Sequence, residues 1–151
     1  GMFGSRNFCM EDERGGYAAF ANSLWVYMDI EKGRPAKPSE EETAVYGKGA
    51  PLDMEYASRK IPLPEEMVQY PGFPVRKSYI DTNEHVNNCQ YVQMAAEAAD
   101  EERDIHGIRA EYKRSAVCGD IIIPEVYRDT RRTVVKLGDE QGRPYAVIEF
   151  R

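Results

Sequence analysis

Histidine, tryptophan and cysteine are scarce in this sequence, which has two His, one Trp and three Cys among its 151 residues. The cysteines, Cys9, Cys89 and Cys118, are odd in number, widely scattered and without metal-ligand spacing. This distribution predicts reduced thiols, as in a cytoplasmic protein, and no structural metal site. No apolar run reaches the length of a membrane span, and no basic-then-apolar signal region begins the chain. We therefore expect a soluble, cytoplasmic protein.

Basic residues are also outnumbered, because 20 Lys and Arg face 26 Asp and Glu and the net charge is −6. This balance argues against a general nucleic-acid-binding protein, which must neutralise phosphates. An acidic protein partner would have to dock on a local basic patch. The candidates for such a patch are Arg109, Lys113, Arg114, Arg128, Arg131 and Arg132. The alternative is that each of them lies on a solvated strand face.

The first thirty residues have the pattern of a β-hairpin. Apolar residues such as Phe8 and Met10 alternate with polar ones before an acidic, Gly-containing turn at 11–16. A long run of residues that favour β-strands follows at 17–28. Residues 6–29 also resemble residues 133–151, since both contain a strand, an acidic turn and then Tyr-Ala. Two similar hairpins can arise by chance. Alternatively, residues 2–30 are the last hairpin of a preceding copy of the same domain.

Residues 31–72 contain most of the prolines. Proline removes backbone donors and favours extended geometry in the residue before it, so we interpret this stretch as a connector that crosses a surface. A short helix is predicted within it at 39–46. Ser39 is the predicted N-cap of this helix, and Glu42 would complete a capping box.

After Phe73 the pattern predicts a strand, a helix and then several further strands. The helix is expected from 87 to 100, because apolar and small residues recur at helical spacing at Tyr91, Val92, Ala95, Ala96 and Ala99. Its alanines would let another layer approach the helix backbone closely. The strands are expected at 75–80, 108–115, 121–128, 131–137 and 145–151. This order predicts an α+β domain in which a sheet wraps around one helix.

The densest group of polar residues lies just before that helix, where residues 81–88 read Asp-Thr-Asn-Glu-His-Val-Asn-Asn. Asp81, Asn83 and His85 alternate, so an extended chain would project them from one side. The free N–H groups at the helix N-terminus suit an oxyanion. A carboxylate to activate water, an amide to orient it and an imidazole to exchange protons suffice for acyl hydrolysis.

These residues also fit other interpretations. Asp and Asn before a helix are frequently only caps and turn formers. A calcium loop is excluded, because Val86 and Val92 stand where Gly and Glu are required. A transition-metal site is disfavoured, because the only other histidine is His106. Cys89 has the chemistry of a nucleophile, but packing is the usual role of such a cysteine.

The segment of residues 81–88, followed by Tyr91, resembles the Asp-x-Asn-x-His-Val-Asn-Asn-x-x-Tyr signature of plant and bacterial acyl-acyl-carrier-protein (acyl-ACP) thioesterases. Residues 108–120, which read Ile-x-x-x-Tyr-x-x-Ser-x-x-x-Gly-Asp, are similar to a second stretch of that family. Residues 23–29 with Arg34-Pro35 are similar to the end of the family's first domain and the linker after it. The resemblance covers nearly the whole chain.

This resemblance implies a hotdog fold, in which an antiparallel sheet wraps around a central helix, with an extra N-terminal β-hairpin. Family members have two tandem hotdogs, and this chain resembles the second hotdog plus the last hairpin of the first. The implied organisation is a hairpin remnant at 2–30, a connector at 31–72 and a hotdog thioesterase domain at 73–151. A lone hotdog leaves a sheet edge open, so we expect a homodimer.

The resemblance further implies hydrolysis of fatty acyl-ACP thioesters in fatty acid biosynthesis, without metal or organic cofactor. The family's catalytic Asp, Asn and His correspond to Asp81, Asn83 and His85. By this resemblance Asp81 acts as base or nucleophile, and Asn83 orients the water or Asp81. His85 polarises or protonates the reacting group. Residues expected to contact substrate are Asn87, Asn88, Tyr91 and Ser115. The implied partner is ACP carrying an acyl-phosphopantetheine group, with no nucleic acid and no membrane.

The sequence departs from the family at Ser115, which stands in the position of a catalytic Glu, and at Ala116, where Cys is frequent. A hydroxyl cannot act as a base at neutral pH without help. One alternative function is therefore a weak or inactive homologue that binds acyl chains or pairs with another subunit. Another alternative is an acyl-coenzyme A thioesterase of the same fold.

Overall fold

The chain divides into two units, Gly1–Arg59 and Lys60–Arg151. The computed structural model describes residues 3–100 and 104–151, so Met2, where the hairpin remnant was expected to begin, lies outside the described residues. No helix in these two ranges is long and apolar enough to cross a membrane.

The first unit begins with an antiparallel hairpin of β1 (Phe3–Glu11) and β2 (Tyr17–Val26), which confirms the predicted hairpin. Its turn depends on two residue types that suit tight turns. Asp12 Oδ1 accepts the N–H of Gly16 at 2.8 Å. Gly15 has a φ of +79°, a left-handed conformation that glycine adopts without steric cost.

The two faces of this hairpin both carry large apolar side chains. Strand register places Phe3 and Leu24 on one face and Phe8 and Trp25 on the other. Their exposed fractions are 47%, 47%, 47% and 56%. Because a two-stranded sheet is marginally stable alone in water, exposure on both faces leaves apolar surface available for further packing.

The remainder of the first unit has little regular structure. The predicted short helix is confirmed as α1 (Glu40–Ala44). Its capping box is also confirmed, since the Glu42 N–H donates to Ser39 Oγ at 3.1 Å and the Ser39 N–H donates to a Glu42 carboxylate oxygen at 2.7 Å. Two short strands, β3 (Met28–Asp29) and β4 (Arg34–Pro35), pair with each other.

In its described residues, the second unit contains one antiparallel sheet and one long helix. The sheet has the order β5-β8-β9-β10-β7, and β6 also pairs with β8. The strands are β5 (Val68–Gln69), β6 (Phe73–Pro74), β7 (Ile108–Tyr112), β8 (Ile121–Arg128), β9 (Thr133–Gly138) and β10 (Pro144–Phe150). Helix α2 (Asn88–Ala99) packs against β8, β9 and β10. This is the hotdog arrangement that the sequence predicts.

The core of the second unit lies between α2 and the inner face of the sheet. Ala95 and Ala99 on the helix are almost completely buried, at 0% and 2% exposure. Ile122, Leu137 and Ile148 belong to the same core cluster and are fully buried. Small helix residues opposite branched strand residues allow the close contact that interior packing requires. The predicted alanine-lined helix face is therefore confirmed.

The strand expected at 75–80 is wrong. Within residues 73–80, only Phe73–Pro74 pairs with β8, and Lys77–Tyr79 forms a 3-10 helix. Val75 and Tyr79 are four residues apart, so their spacing fits one helical turn as well as a strand. The turn redirects the chain before it reaches the start of α2.

A buried carboxylate joins three strands on the outer face of the sheet. Glu149 is 0% exposed. Its Oε1 accepts from Arg109 Nη1 at 3.2 Å and from Arg151 Nε at 2.7 Å, and its Oε2 accepts from Arg132 Nη1 at 2.9 Å. Burial alone would raise the pKa of Glu149, but the hydrogen bonds and charges of the three arginines outweigh it and lower the pKa.

Replacement of Glu149 by Gln should destabilise the protein at neutral pH by about 3 kcal/mol, since it removes one partner of a buried ion cluster. A lowered folded-state pKa contributes stability above the unfolded glutamate pKa of about 4.3 and loses it as the pH falls through the folded value. The difference between wild type and variant should therefore shrink in acid. Urea unfolding at pH 7 measures the loss of stability, and urea unfolding at about pH 3 measures how far it shrinks. Replacement of the exposed Glu140 by Gln is the control. Equal stability of wild type and Glu149→Gln at pH 7 would contradict this account.

Candidate active site

Residues 81–85, here named the Asp81 turn, form a closed loop before α2. The Asp81 N–H donates to the His85 carbonyl at 2.8 Å, and the Glu84 N–H donates to the Asp81 carbonyl at 3.1 Å. Asp81 Oδ1 accepts the Asn83 N–H at 2.8 Å. The segment is therefore a turn rather than an extended chain, because the Asp81 side chain bonds to the backbone two residues later and so closes it.

The Asp81 turn keeps its three candidate catalytic side chains within five residues. Asp81 is half-buried, whereas Asn83 and His85 are exposed. Glu84 between them has a φ of +62°. This left-handed conformation costs a residue other than glycine about 1–2 kcal/mol, and such backbone strain is frequent at functional sites.

The helix N-terminus next to this turn is capped by Asn87. Its Oδ1 accepts the Cys89 N–H at 2.9 Å, and its own N–H donates to the Tyr79 carbonyl at 2.9 Å. Asn87 was expected to contact substrate, and the structure gives its side chain the capping role of the alternative interpretation. Asn88 is exposed in the first turn. Cys89 is exposed as well, so its expected role in packing is wrong, because it lies on the side of the helix turned away from the core.

Residues 113–120, here named the Ser115 loop, follow β7. A strand was expected to continue to Ser115, but β7 ends at Tyr112. The N–H groups of Lys113 and Arg114 both donate to the Tyr145 carbonyl, at 2.9 and 3.2 Å. Two successive donors to one acceptor break the alternation of a ladder, so Ser115 lies in a loop and is exposed.

The Ser115 loop meets the end of the Asp81 turn at Ala116. The Ala116 carbonyl accepts the Val86 N–H at 2.9 Å, and the Ala116 N–H donates to Tyr91 Oη at 2.8 Å. Ala116 is 0% and Tyr91 is 2% exposed. Tyr91, which was expected to contact substrate, therefore lies in the core, where burial raises the pKa of its phenol. Ser115 therefore directly precedes Ala116, the residue that contacts Val86 at the end of the Asp81 turn.

Further contacts anchor the Ser115 loop to the sheet. The Arg114 guanidinium lies 4.2 Å from the centre of the Tyr145 ring and pairs with Asp139 at 2.7 Å. Asp120 Oδ2 accepts from the Val117 N–H at 3.0 Å and from the Tyr145 hydroxyl at 3.1 Å. Sequence reasoning missed these supporting roles of Asp120 and Asp139. A signal for each existed, since each aspartate directly follows a glycine, a pairing that is typical of turns.

Most of the candidate basic patch is paired within the chain. Lys113 contacts Glu111 at 2.8 Å, Arg114 contacts Asp139, and Arg128 donates to the Ala99 carbonyl. Arg109 and Arg132 contact Glu149, as described above, and Arg131 is exposed. Across the described ranges, no three His, Cys, Asp or Glu side chains meet in a group that could hold a metal ion.

Comparisons with known proteins agree with this architecture. The sequence model described as the acyl-ACP thioesterase C-terminal domain matches residues 64–146. An acyl-ACP thioesterase from Bacteroides thetaiotaomicron is 19% identical with a TM-score of 0.80, and the match covers 99% of this chain and 62% of that one. A 12:0-ACP thioesterase from Umbellularia californica is 20% identical with a TM-score of 0.76, and that match covers 98% of this chain and 60% of the other.

No curated protein matches the sequence. The chain spans 62% and 60% of the length of the two solved structures just named. At these identities the solved structures establish the fold alone, whereas the matched domain model covers more than half of this chain. The chain therefore belongs to the acyl-ACP thioesterase family, through the C-terminal domain of that family.

Proposed function

We propose that this protein hydrolyses fatty acyl-ACP thioesters and releases the free fatty acid, as a cytoplasmic enzyme of fatty acid biosynthesis. The observation that carries the proposal is the Asp81 turn, which presents a carboxylate, an amide and an imidazole at the N-terminus of α2. Family membership supports thioester hydrolysis in general. The choice of an ACP-bound substrate rests on the resemblance of residues 81–88 to the family signature.

The proposed mechanism needs only side chains and backbone of this chain. In one route the Asp81 carboxylate takes a proton from a water molecule, which attacks the thioester carbon. In the other route Asp81 attacks that carbon itself, and a water molecule then hydrolyses the resulting anhydride. In both routes Asn83 orients the attacking group. The developing oxyanion lies at the positive end of the α2 helix dipole. The carbon–sulfur bond then breaks, and His85 supplies the proton that the leaving thiolate takes up.

Replacement of Asp81 by Asn should reduce kcat by about 100-fold or more, the usual contribution of a positioned base. The change is conservative, because the amide retains Oδ1 as the acceptor for the Asn83 N–H and so preserves the turn. Steady-state hydrolysis of acyl-ACP measures the effect. Glu84→Gln, which removes a carboxylate from the same turn, is the matched control and should keep nearly normal activity. Near-normal turnover by Asp81→Asn would remove Asp81 from the mechanism.

Ser115 should limit the rate, because a hydroxyl replaces the carboxylate of the family. We expect slow hydrolysis by the wild type and a several-fold higher kcat for Ser115→Glu. Ser115→Gln, of equal size but without charge, should give no gain. The proximity of the Ser115 loop to Val86 supports this expectation. A folded Ser115→Glu protein that is no faster than a slow wild type would contradict a fourth catalytic position here.

Ser115 also favours a second candidate function, that of a weak or inactive homologue that binds acyl chains or pairs with another subunit. Purified protein that binds acyl-ACP but never turns it over would support this candidate. An acyl-coenzyme A thioesterase differs only in its carrier. Competition between acyl-ACP and acyl-coenzyme A for the same hydrolysis distinguishes the two carriers.

We further propose that residues 2–30 are the closing hairpin of a preceding hotdog, that residues 31–72 connect it to the thioesterase domain at 73–151, and that the protein forms homodimers. Two surfaces support assembly. The hairpin exposes apolar side chains on both faces, and β7 forms one end of the strand order in the described sheet. An edge strand and an uncovered apolar face both favour pairing with another chain.

Light scattering at micromolar concentration should therefore give the mass of a two-fold dimer. Trp25→Glu adds a charge to one exposed face of the hairpin and should shift the population towards monomer. Glu13→Gln, in the exposed hairpin turn, is the control that should leave the mass unchanged. A clean monomer mass for the wild type means that the dimer must be abandoned.

A further inference from the structure

Tyr91 combines complete burial with a polar contact to a loop distant in sequence. It lies in the first half of α2, is 2% exposed, and its ring centre is 6.0 Å from that of Tyr112. Packing alone would be served equally well by phenylalanine. The hydroxyl adds one interaction that phenylalanine lacks, because it accepts the Ala116 N–H at 2.8 Å.

Ala116 is bound on both sides of its backbone. Its N–H donates to Tyr91, and its carbonyl accepts the Val86 N–H at 2.9 Å. Since Ala116 is fully buried, neither group can exchange its protein partner for bulk water without a large rearrangement. One residue thus links the core of α2, the Ser115 loop and the residue that follows the Asp81 turn.

We propose that Tyr91 is a positioning residue, whose hydroxyl acts through the Ala116 backbone to hold the Ser115 loop against the Asp81 turn. The inference rests on the proposed function, because the Asp81 turn is the proposed catalytic segment. Tyr91 itself does not touch substrate in this role. Loss of the hydroxyl leaves the Ala116 N–H buried without its partner, so the loop must shift or admit water.

The first test does not depend on activity. In Tyr91→Phe, the Ala116 and Val86 amides should exchange hydrogen about ten-fold faster than in the wild type, as measured by NMR. The Ala95 amide in the same helix should be unchanged. Tyr127→Phe is the control, because it removes a hydroxyl that bonds to Asp129 elsewhere in the unit. Unchanged exchange at Ala116, or equal acceleration throughout the core, overturns the proposal.

The second test separates positioning from binding. Tyr91→Phe should lower kcat on acyl-ACP about ten-fold and leave KM within about two-fold, since the loop is displaced but the substrate surface is retained. The gain expected for Ser115→Glu should also disappear when it is combined with Tyr91→Phe, and should persist when it is combined with Tyr127→Phe. Wild-type kcat in Tyr91→Phe, despite faster exchange at Ala116, overturns the positioning role. A wild type that never hydrolyses thioesters refutes the proposed function instead, and the exchange measurement still decides whether Tyr91 holds Ala116.

Discussion

The close approach of helix α2 to the sheet is the constraint on which the second unit depends. Ala95 and Ala99 have no side-chain atoms beyond Cβ, so the strands lie directly against the helix. A bulkier residue at either position would have to displace buried strand residues such as Leu137, because protein interiors have few voids to absorb extra volume. The position of the helix in turn fixes its N-terminus, and with it the place where the Asp81 turn can lie.

The candidate site is built largely from backbone contacts. The Asp81 turn closes through its own N–H and carbonyl groups, and the Ser115 loop joins it through Ala116. Several of the polar side chains nearby hold loops: Asp120 bonds to Val117, and Asn87 caps the helix. Such a site is preorganised, since its geometry is set by segments that are already hydrogen-bonded before any substrate arrives.

Local and periodic features of the fold could be predicted from the sequence. The capping box at Ser39, the alanine-lined helix and most strands depend on contacts or periodicities that neighbouring residues encode. The prediction of a strand at 75–80 was wrong because this short apolar pattern fits the period of a helix as well as that of a strand. The alternation of Asp81, Asn83 and His85 did not reveal the turn at 81–85, because that turn depends on the Asp81 side chain bonding to the backbone.

The Asp81 turn and the Ser115 loop meet through Val86 and Ala116, but the long-range contacts of this region could not be foreseen. Tyr91 and Ala116 are 25 residues apart, and Glu149 and Arg109 are 40 apart. Such pairs form only after the sheet has assembled, and no local pattern specifies them. For the same reason the six candidate basic residues looked like a free patch, although three of them, Arg109, Arg114 and Arg132, pair with acidic residues that are distant in sequence.

The two-faced apolar hairpin has a consequence for biogenesis. Residues 3–26 leave the ribosome before the strands and helix of the second unit, and β2 pairs only with β1 among the described residues. A hairpin of this kind offers both open strand edges and exposed apolar surfaces to other nascent chains. The acidic turn at its tip, with Glu11, Asp12 and Glu13, places charge next to that surface, and charge beside an apolar strand opposes association with other chains. Cellular yield should therefore be more sensitive to the charge of this turn than the folded state is.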